Sequence, residues 1–391
     1  MALGVKIRVS YGSLGNNAST NYYMYQSLFA TANYVLNGNI AGGLAQTVLA
    51  NPRLTWEKTY MANAGVDFAF FSNRLSGSLD IYDKDTRGIL ISLPAPLEHG
   101  TSTVPDQNAG RVSNKGLELD LRWHDHIGRV AYNVGFNLSY VTNKVTSFRG
   151  DISSISGVYK LQEGRPVNQL YVMTVDRIVR DASDLANVES LVEKNPAYFA
   201  TYRRPGLGDF LYRDANGDGR LDADDRVELG YGTQPRLTYG ADLGVMWNNF
   251  DFSIMMQGVG RHLVYYNNQA FRFVTVMGQS LVKDITDNAW TPENPYASKY
   301  PVLRNSADGR NNIPSDAFVH NAAYLRCKNI RLGYTVPRKI TRKFFVENLK
   351  VYTSIDNLFT ITSFPGLDPE IGANVGYPAI RQYSVGINIS F

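Results

Sequence analysis

A single cysteine, Cys327, stands in 391 residues, so no intrachain disulfide forms. No stretch approaches the roughly 18 consecutive apolar residues of a transmembrane helix, which excludes a helical span. Net charge is +4, too small on this length to argue for nucleic acid as a partner. The start, MALGVKIRVSYG, carries one early Lys and runs directly into a strand-like alternation, so no export signal is read there. Helical periodicity is weak nearly everywhere. No Ser/His/Asp or Cys/His spacing resembles a catalytic motif, and no enzyme is expected.

What is present is aromatic and alternating. Aromatics make up 12% of the chain, with 25 Tyr against 18 Phe, and Gly reaches 34. Tyr joins an apolar ring to a polar hydroxyl and suits strands and membrane interfaces, while Gly suits tight turns. Leu117, Leu119, Leu121 and Trp123 point one way, and Glu118, Asp120, Arg122 and His124 the other. The same period of two runs through Tyr132 to Tyr140, Tyr239 to Trp247, Phe250 to Met256 and Tyr383 to the terminal Phe391. Short polar turns are read at Ser72-Asn73, His124 to Gly128 and Asn248-Asn249. The opposite connections, 12–53, 91–110, 147–235 and 264–316, are long. Short turns at one end and long loops at the other are the asymmetry of outer-membrane barrels.

Roughly eleven strands are expected, near 4–11, 56–71, 74–91, 111–124, 129–146, 168–178, 236–247, 250–263, 319–335, 347–360 and 379–391. In 319–335 the apolar phase slips between Cys327 and Ile330, which predicts a β-bulge near Lys328-Asn329. Segment 168–178 fits an extracellular loop as well as a barrel strand. In hydrocarbon every backbone N–H and C=O must be paired, so a spanning sheet must close. One face then meets lipid, and the other, with Glu118, Asp120, Asp242 and Asp251, meets water or a plug. The expected fold is an all-β, antiparallel transmembrane β-barrel with long extracellular loops, in the outer membrane. The competing fold is a soluble β-protein whose polar face is its outside. A barrel protein must be exported, so the chain is expected to be a piece of a longer one.

One motif has the spacing of a cation loop. Asp214, Asn216, Asp218, Arg220, Asp222 and Asp225 place oxygens at positions 1, 3, 5, 7, 9 and 12, with Gly219 at 6. Position 12 is Asp where an EF-hand has Glu, which favours weaker binding. A structural Ca²⁺ or Mg²⁺ site is the expectation for 214–225, and a metal-free Asp/Gly-rich turn the competing reading. His124-Asp125-His126 lacks a third ligand nearby and reads as a solvated turn. Tyr22, Tyr23, Tyr25, Tyr34, Tyr231, Tyr265, Tyr266 and Trp290 fall in or near long loops. They form either a sugar-stacking surface or interfacial and loop packing. Trp123 and Trp247, beside short turns, fit a periplasmic aromatic girdle.

Several motifs recur in order. They are NPRLTWE from Asn51, Gly65-Val66-Asp67, FFSNRL from Phe70, NAGRVSNKGLE from Asn108, DANGDGRLDADDR at 214–226, WTPENP from Trp290, YLRCKNIRLGYTVP at 324–337 and Asp356-Asn357-Leu358-Phe359. Together with the terminal strand they resemble the C-terminal part of the SusC/RagA family of TonB-dependent transporters. Cys327 departs from the pattern, which usually has an apolar residue there, and is read as packing. The resemblance implies about half of a 22-stranded barrel spanning 1–391, its plug domain and early strands absent, with 147–235 as a long extracellular loop region. Phe391's strand would then pair with a first strand outside this chain. The resemblance further implies energy-coupled import of oligosaccharides or other bulky nutrients, in some members peptides. TonB would act through an N-terminal region this chain does not contain, and a SusD-like surface lipoprotein would cover the extracellular mouth. A non-transporting adhesin or carbohydrate-binding β-protein is the alternative function.

Overall fold

The computed structural model describes residues 4–17, 25–48, 50–91, 106–148, 154–268, 271–275, 280–305, 308–374 and 376–391. It divides into two units, 1–125 with 133–154 and 161–167, and 126–132 with 155–160 and 168–391. No helix among the described residues is long and apolar enough to cross a membrane.

The first unit holds β1 (Gly4–Asn16), β2 (Glu57–Phe70), β3 (Leu75–Ile91), β4 (Gln107–Ile127) and β5 (Val130–Phe148), paired antiparallel in chain order. Register decides what each face carries. Ile7 opposes Val66, Val66 opposes Leu79, and Leu79 opposes Leu119. Val9, Ala64, Ile81 and Leu117 form the next row. On the other face Arg8 hydrogen-bonds Asp67 (Nε–Oδ2 2.9 Å) and Asp80 (Nη2–Oδ2 2.8 Å). Nearer the long-loop end, on the side of Ile81 and Leu117, Arg111 donates to Asp85.

The second unit repeats the scheme with β6 (Leu237–Trp247), β7 (Phe250–Val259), β8 (Tyr324–Thr335), β9 (Asn348–Asp356) and β10 (Gln382–Ser390). Leu243, Ile254, Ile330, Ile355 and Tyr383 run across it as one row. Val245, Phe252, Leu332, Thr353 and Val385 make the row below. The polar face carries Asp251, 2.6 Å from Lys350, and Arg331, whose guanidinium lies 4.3 Å from the Tyr352 ring centre. Apolar side chains at half or more exposure, such as Ile81 (54%) and Ile387 (63%), belong on a lipid face.

Glycines on these faces make room for cross-strand tyrosines. Tyr82 lies over Gly116 and Tyr352 over Gly386, each its register partner, and a Cβ at either glycine would run into the ring. Gly116→Val is expected to cost about 1–3 kcal/mol by this overpacking, read from urea midpoints of the refolded protein. An unchanged midpoint would remove the packing role.

Tight turns join β2 to β3 (Phe71 to Arg74), β4 to β5 (Gly128-Arg129) and β6 to β7 (Asn248-Asn249). Their left-handed residues include Asn73, Gly128 and Asn248, types suited to positive φ. The bulge lies where the phase slip places it: Met255 opposes Asn329 and Met256 opposes Cys327, leaving Lys328 extra. Several expectations change. The His124 to Gly128 turn is shorter, because β4 continues to Ile127 and carries His124-Asp125-His126 as strand. Segment 168–178 is not a strand of the main sheet. Gln169–Val172 and Val175–Ile178 pair instead with short strands at 159–161, 227–228 and 210–212. Strand 319–335 divides, since Val319–Asn321 pairs with Leu263–Tyr265. Loop 12–53 contains an unanticipated hairpin, Leu28–Leu36 with Asn39–Val48.

Above the long-loop end of β6–β10, the second unit builds an ordered layer. Its core gathers Met173, Tyr198, Phe210, Tyr212, Phe273, Trp290 and Phe318. Helix α1 (Ala182–Lys194) is capped by Asp181, which accepts from the N–H of Ser183 and Asp184, and it buries Val188. Fully buried Asp209 accepts from Arg304 (Nε 2.9 Å, Nη2 2.9 Å), Arg310 (3.3 Å) and Asn311 (3.0 Å). Buried charge survives here because it is paired and hydrogen-bonded.

Candidate functional site

The bulge in β8 determines the chemistry at its long-loop end. In regular alternation Arg326 and Lys328 share the water-facing side, and the extra residue at 328 keeps both there while Ile330 returns to the apolar row. The connection 363–381 then folds back onto this end. Asp368 accepts from Arg326 Nη2 at 2.6 Å, from the Glu370 N–H at 2.9 Å and from the Ala379 N–H at 2.9 Å. Glu370 accepts from Arg326 Nη1 (2.9 Å), Lys328 (2.6 Å) and the Tyr324 hydroxyl (2.8 Å). Arg326 also donates Nε to Thr360 Oγ1 at 2.8 Å. Arg326 and Asp368 are 2% and 3% exposed, so the pair is desolvated.

Burial pushes both carboxyls upward, and their hydrogen bonds outweigh it. Asp368 ends below its ordinary range through Arg326 and two backbone N–H groups, and Glu370 through Lys328, Tyr324 and Arg326. Beside this cluster opens a cleft of about 650 Å³ lined by Tyr159, Gln234, Gln257, His262, Tyr324 and Glu370, among others. Burial holds the His262 imidazole below its usual range, and so neutral near pH 7. The cleft presents amide, hydroxyl, imidazole and carboxylate groups over apolar Val259, Leu263 and Val264. That mixture suits hydrogen bonding to a polar, uncharged or cationic solute.

The 214–225 loop is ordered by its own backbone. Asp214 accepts from the N–H of Gly217 (2.6 Å) and Gly219 (2.9 Å), and Asn216 Oδ1 from that of Asp218 (2.9 Å). Asp218 accepts from the Arg220 N–H (2.8 Å) and Asp222 from the Asp224 N–H (2.9 Å). Asp225 is fully buried and accepts from the N–H of Ala215 (2.8 Å), Asn216 (3.3 Å) and Asp222 (3.0 Å). Among the described residues no three His, Cys, Asp or Glu side chains are grouped to hold a metal ion. The spacing gathers these residues into one loop, with lone pairs turned to N–H donors.

The aromatic residues separate. Tyr266 and Trp290 are buried in the core of the upper layer, with Tyr265 packed against it, so these three are packing residues. Tyr231 lies between Arg236 and Arg261, with guanidinium carbons 4.8 and 4.9 Å from its ring centre. Tyr25 and Tyr34 are exposed, and Tyr22 and Tyr23 lie outside the described residues. Trp247 stacks 6.4 Å from Phe250 beside its tight turn, and Phe250 lies 4.8 Å from Tyr334. Trp123 meets Phe71 at 6.1 Å beside another turn. These are girdle positions. Cys327 is buried, as packing requires. Sequence reasoning missed the Arg326–Asp368–Glu370 cluster. Its signal was two cations flanking the phase slip, facing a Pro/Gly-rich acidic stretch, FPGLDPEIG.

Antiparallel sheets with an apolar face in each unit, aromatic residues beside their tight turns and, in the second unit, an ordered layer at the long-loop end define an outer-membrane β-barrel protein. The family model "TonB dependent receptor-like, beta-barrel" matches residues 4–358, and the chain belongs to that family, in its SusC/RagA type. It is 28% identical over 417 residues to TonB-dependent receptor P3 of Formosa agariphila, covering 99% of this chain and 39% of that protein. It is 24% identical over 402 residues to TonB-dependent receptor SusC of Bacteroides thetaiotaomicron, covering 99% and 37%. The solved RagAB peptide transporter superposes with a TM-score of 0.77 at 26% identity, covering 99% of this chain and 41% of that one. The chain thus spans about two fifths of the relatives it matches.

Proposed function

We propose that this chain is barrel sequence of an importer that carries bulky nutrients, oligosaccharides or peptides, across the outer membrane. In this reading TonB supplies the energy through sequence outside this chain, and a SusD-like lipoprotein closes the extracellular side. The observation that supports it is superposition along 99% of the chain on a protein described as a peptide transporter. The polar cleft beside Glu370 supports it too, because it faces the water side of the sheet at the long-loop end. The test has two readouts. The full-length protein, tagged in its own outer membrane and isolated in mild detergent, is expected to bring a lipoprotein in about equal amount. Cells lacking the gene are expected to lose uptake of one labelled pool, oligosaccharide or oligopeptide. Isolation without a lipoprotein and unchanged uptake, with lost glycan adhesion, would replace import by the adhesin reading.

We further propose that the 214–225 loop takes Ca²⁺ weakly, by turning Asp214, Asp218 and Asp222 from N–H donors to the ion. The Asp at position 225, shorter than Glu and already holding three N–H groups, supports an affinity no tighter than about millimolar. Thermal melts at 5 mM calcium are expected to rise over those in chelator, by an amount lost in Asp214→Asn/Asp218→Asn. Equal melts would assign loop closure to the backbone bonds alone.

A further inference from the structure

The connection between β8 and β9 lies at the tight-turn end of the second unit, beside Trp247, Phe250 and Tyr334. Its sequence, PRKITRKFFVE from Pro337, forms a short helix, Arg338–Thr341, and a 3₁₀ turn, Arg342–Phe344. Both ends are tied to the sheet. The Val336 N–H donates to Leu349 O at 2.8 Å, and the Glu347 N–H to Ser390 O at 2.8 Å. Thr341 is buried beneath. What remains outside is apolar and cationic: Ile340 is 51% exposed, Phe344 71% and Phe345 90%. Phe345 has φ of 59°, a left-handed backbone that a bulky residue adopts at a cost, and that backbone leaves the ring in the open. Arg338 and Arg342 stand four apart, as do Lys339 and Lys343, so each pair shares a helical face. Among the described residues no carboxylate pairs with any of the four. Arg338, Arg342, Phe345, Val346 and Glu347 enclose an open cleft of about 400 Å³.

We propose that this turn is a docking site for phospholipid headgroups of the periplasmic leaflet. The phosphate lies between Arg338 and Arg342, and Lys339 and Lys343 add attraction for an anionic surface. Phe344, Phe345 and Ile340 enter the layer between headgroups and acyl chains. Charge complementarity decides the occupant, since four cations against the single Glu347 favour an anionic headgroup over a zwitterionic one. Height agrees, because Tyr334, four residues before Arg338, belongs to the aromatic set that marks the hydrocarbon edge. Guanidinium groups and aromatic rings together anchor where one end of a side chain is apolar and the other wet.

The test is lipid retention by the full-length protein in native mass spectrometry, titrated with phosphatidylglycerol or phosphatidylcholine. Phosphatidylglycerol is expected to bind more tightly, and Arg338→Gln/Arg342→Gln to weaken it by about fivefold per cation removed. Arg203→Gln/Arg213→Gln, equal in charge but in the upper layer, is the control and is expected to leave retention unchanged. Lys339→Gln/Lys343→Gln, fully on the surface, provides a second reading where the arginine variant fails to refold. Equal retention by wild type and turn variants would overturn the proposal. So would displacement of the lipid by millimolar inorganic phosphate, which would mark a phosphate site without lipid preference.

Discussion

Arg326→Met is expected to cost about 3–5 kcal/mol of stability, the price of leaving a buried partner uncompensated. Asp368 is 3% exposed, and in this variant its charge would face only the N–H groups of Glu370 and Ala379. Glu370 keeps Lys328 and Tyr324, so the damage concentrates at Asp368. The 363–381 connection is expected to detach, and trypsin to cut at Arg381 in the folded variant while sparing the wild type. Arg326→Met/Asp368→Asn is expected to be more stable than Arg326→Met alone, since a neutral amide oxygen still accepts an N–H without a buried charge. A double variant no better than the single one would place the loss in Arg326's packing. The pH dependence follows from the same pair. A carboxylate held below its ordinary range adds stability above its unfolded pKa and loses it as pH falls through the folded one. Asp368 and Glu370 are both so held. The connection is therefore expected to stay closed from neutral pH to about 5 and to open below about 4.

An arginine at Ile254 is expected to cost about 2–4 kcal/mol, and one at Met255, the next residue, less than about 1 kcal/mol. Ile254 lies between Leu243 and Ile330 in the apolar row. Its guanidinium would meet hydrocarbon near mid-height of the strand. Met255 opposes Asp242 and Asn329 on the polar face, where a cation gains a carboxylate. Both changes put one arginine in place of an apolar residue in the same strand, on opposite sides. Urea unfolding in lipid vesicles measures both. Equal costs would mean that the two faces of β7 meet the same medium.

The sheets were legible because lipid and water divide successive residues. Leu117, Leu119, Leu121 and Trp123 needed only the period of two, and the bulge at Lys328 showed as a break in that period. The upper layer was harder, since its short strands pair across tens of residues; Phe210–Tyr212, for example, pairs with Val175–Ile178. Helix α1 did carry a readable signal, Asp181 as cap and Leu185, Val188 and Leu191 three apart. It lies inside the long 147–235 connection. The Arg326–Asp368 pair spans 42 residues and exists only once the connection folds back. The cation-loop residues were identified from spacing, yet spacing does not say whether a carboxylate turns to an ion or to an N–H. Asp225 turns to three N–H groups in this structure. The same limit applies to Tyr266 and Trp290, whose ring type fits a sugar platform and whose burial makes them core.

Nitroxide labels placed singly at 251 to 256 along β7, in a Cys327→Ala background in lipid vesicles, report whether one face of the sheet meets lipid and the other water. Oxygen accessibility is expected to peak at 252, 254 and 256, and accessibility to a water-soluble nickel complex at 251, 253 and 255. Nickel access equal at all six positions would contradict the barrel face assignment and return the sheet to a soluble β-protein.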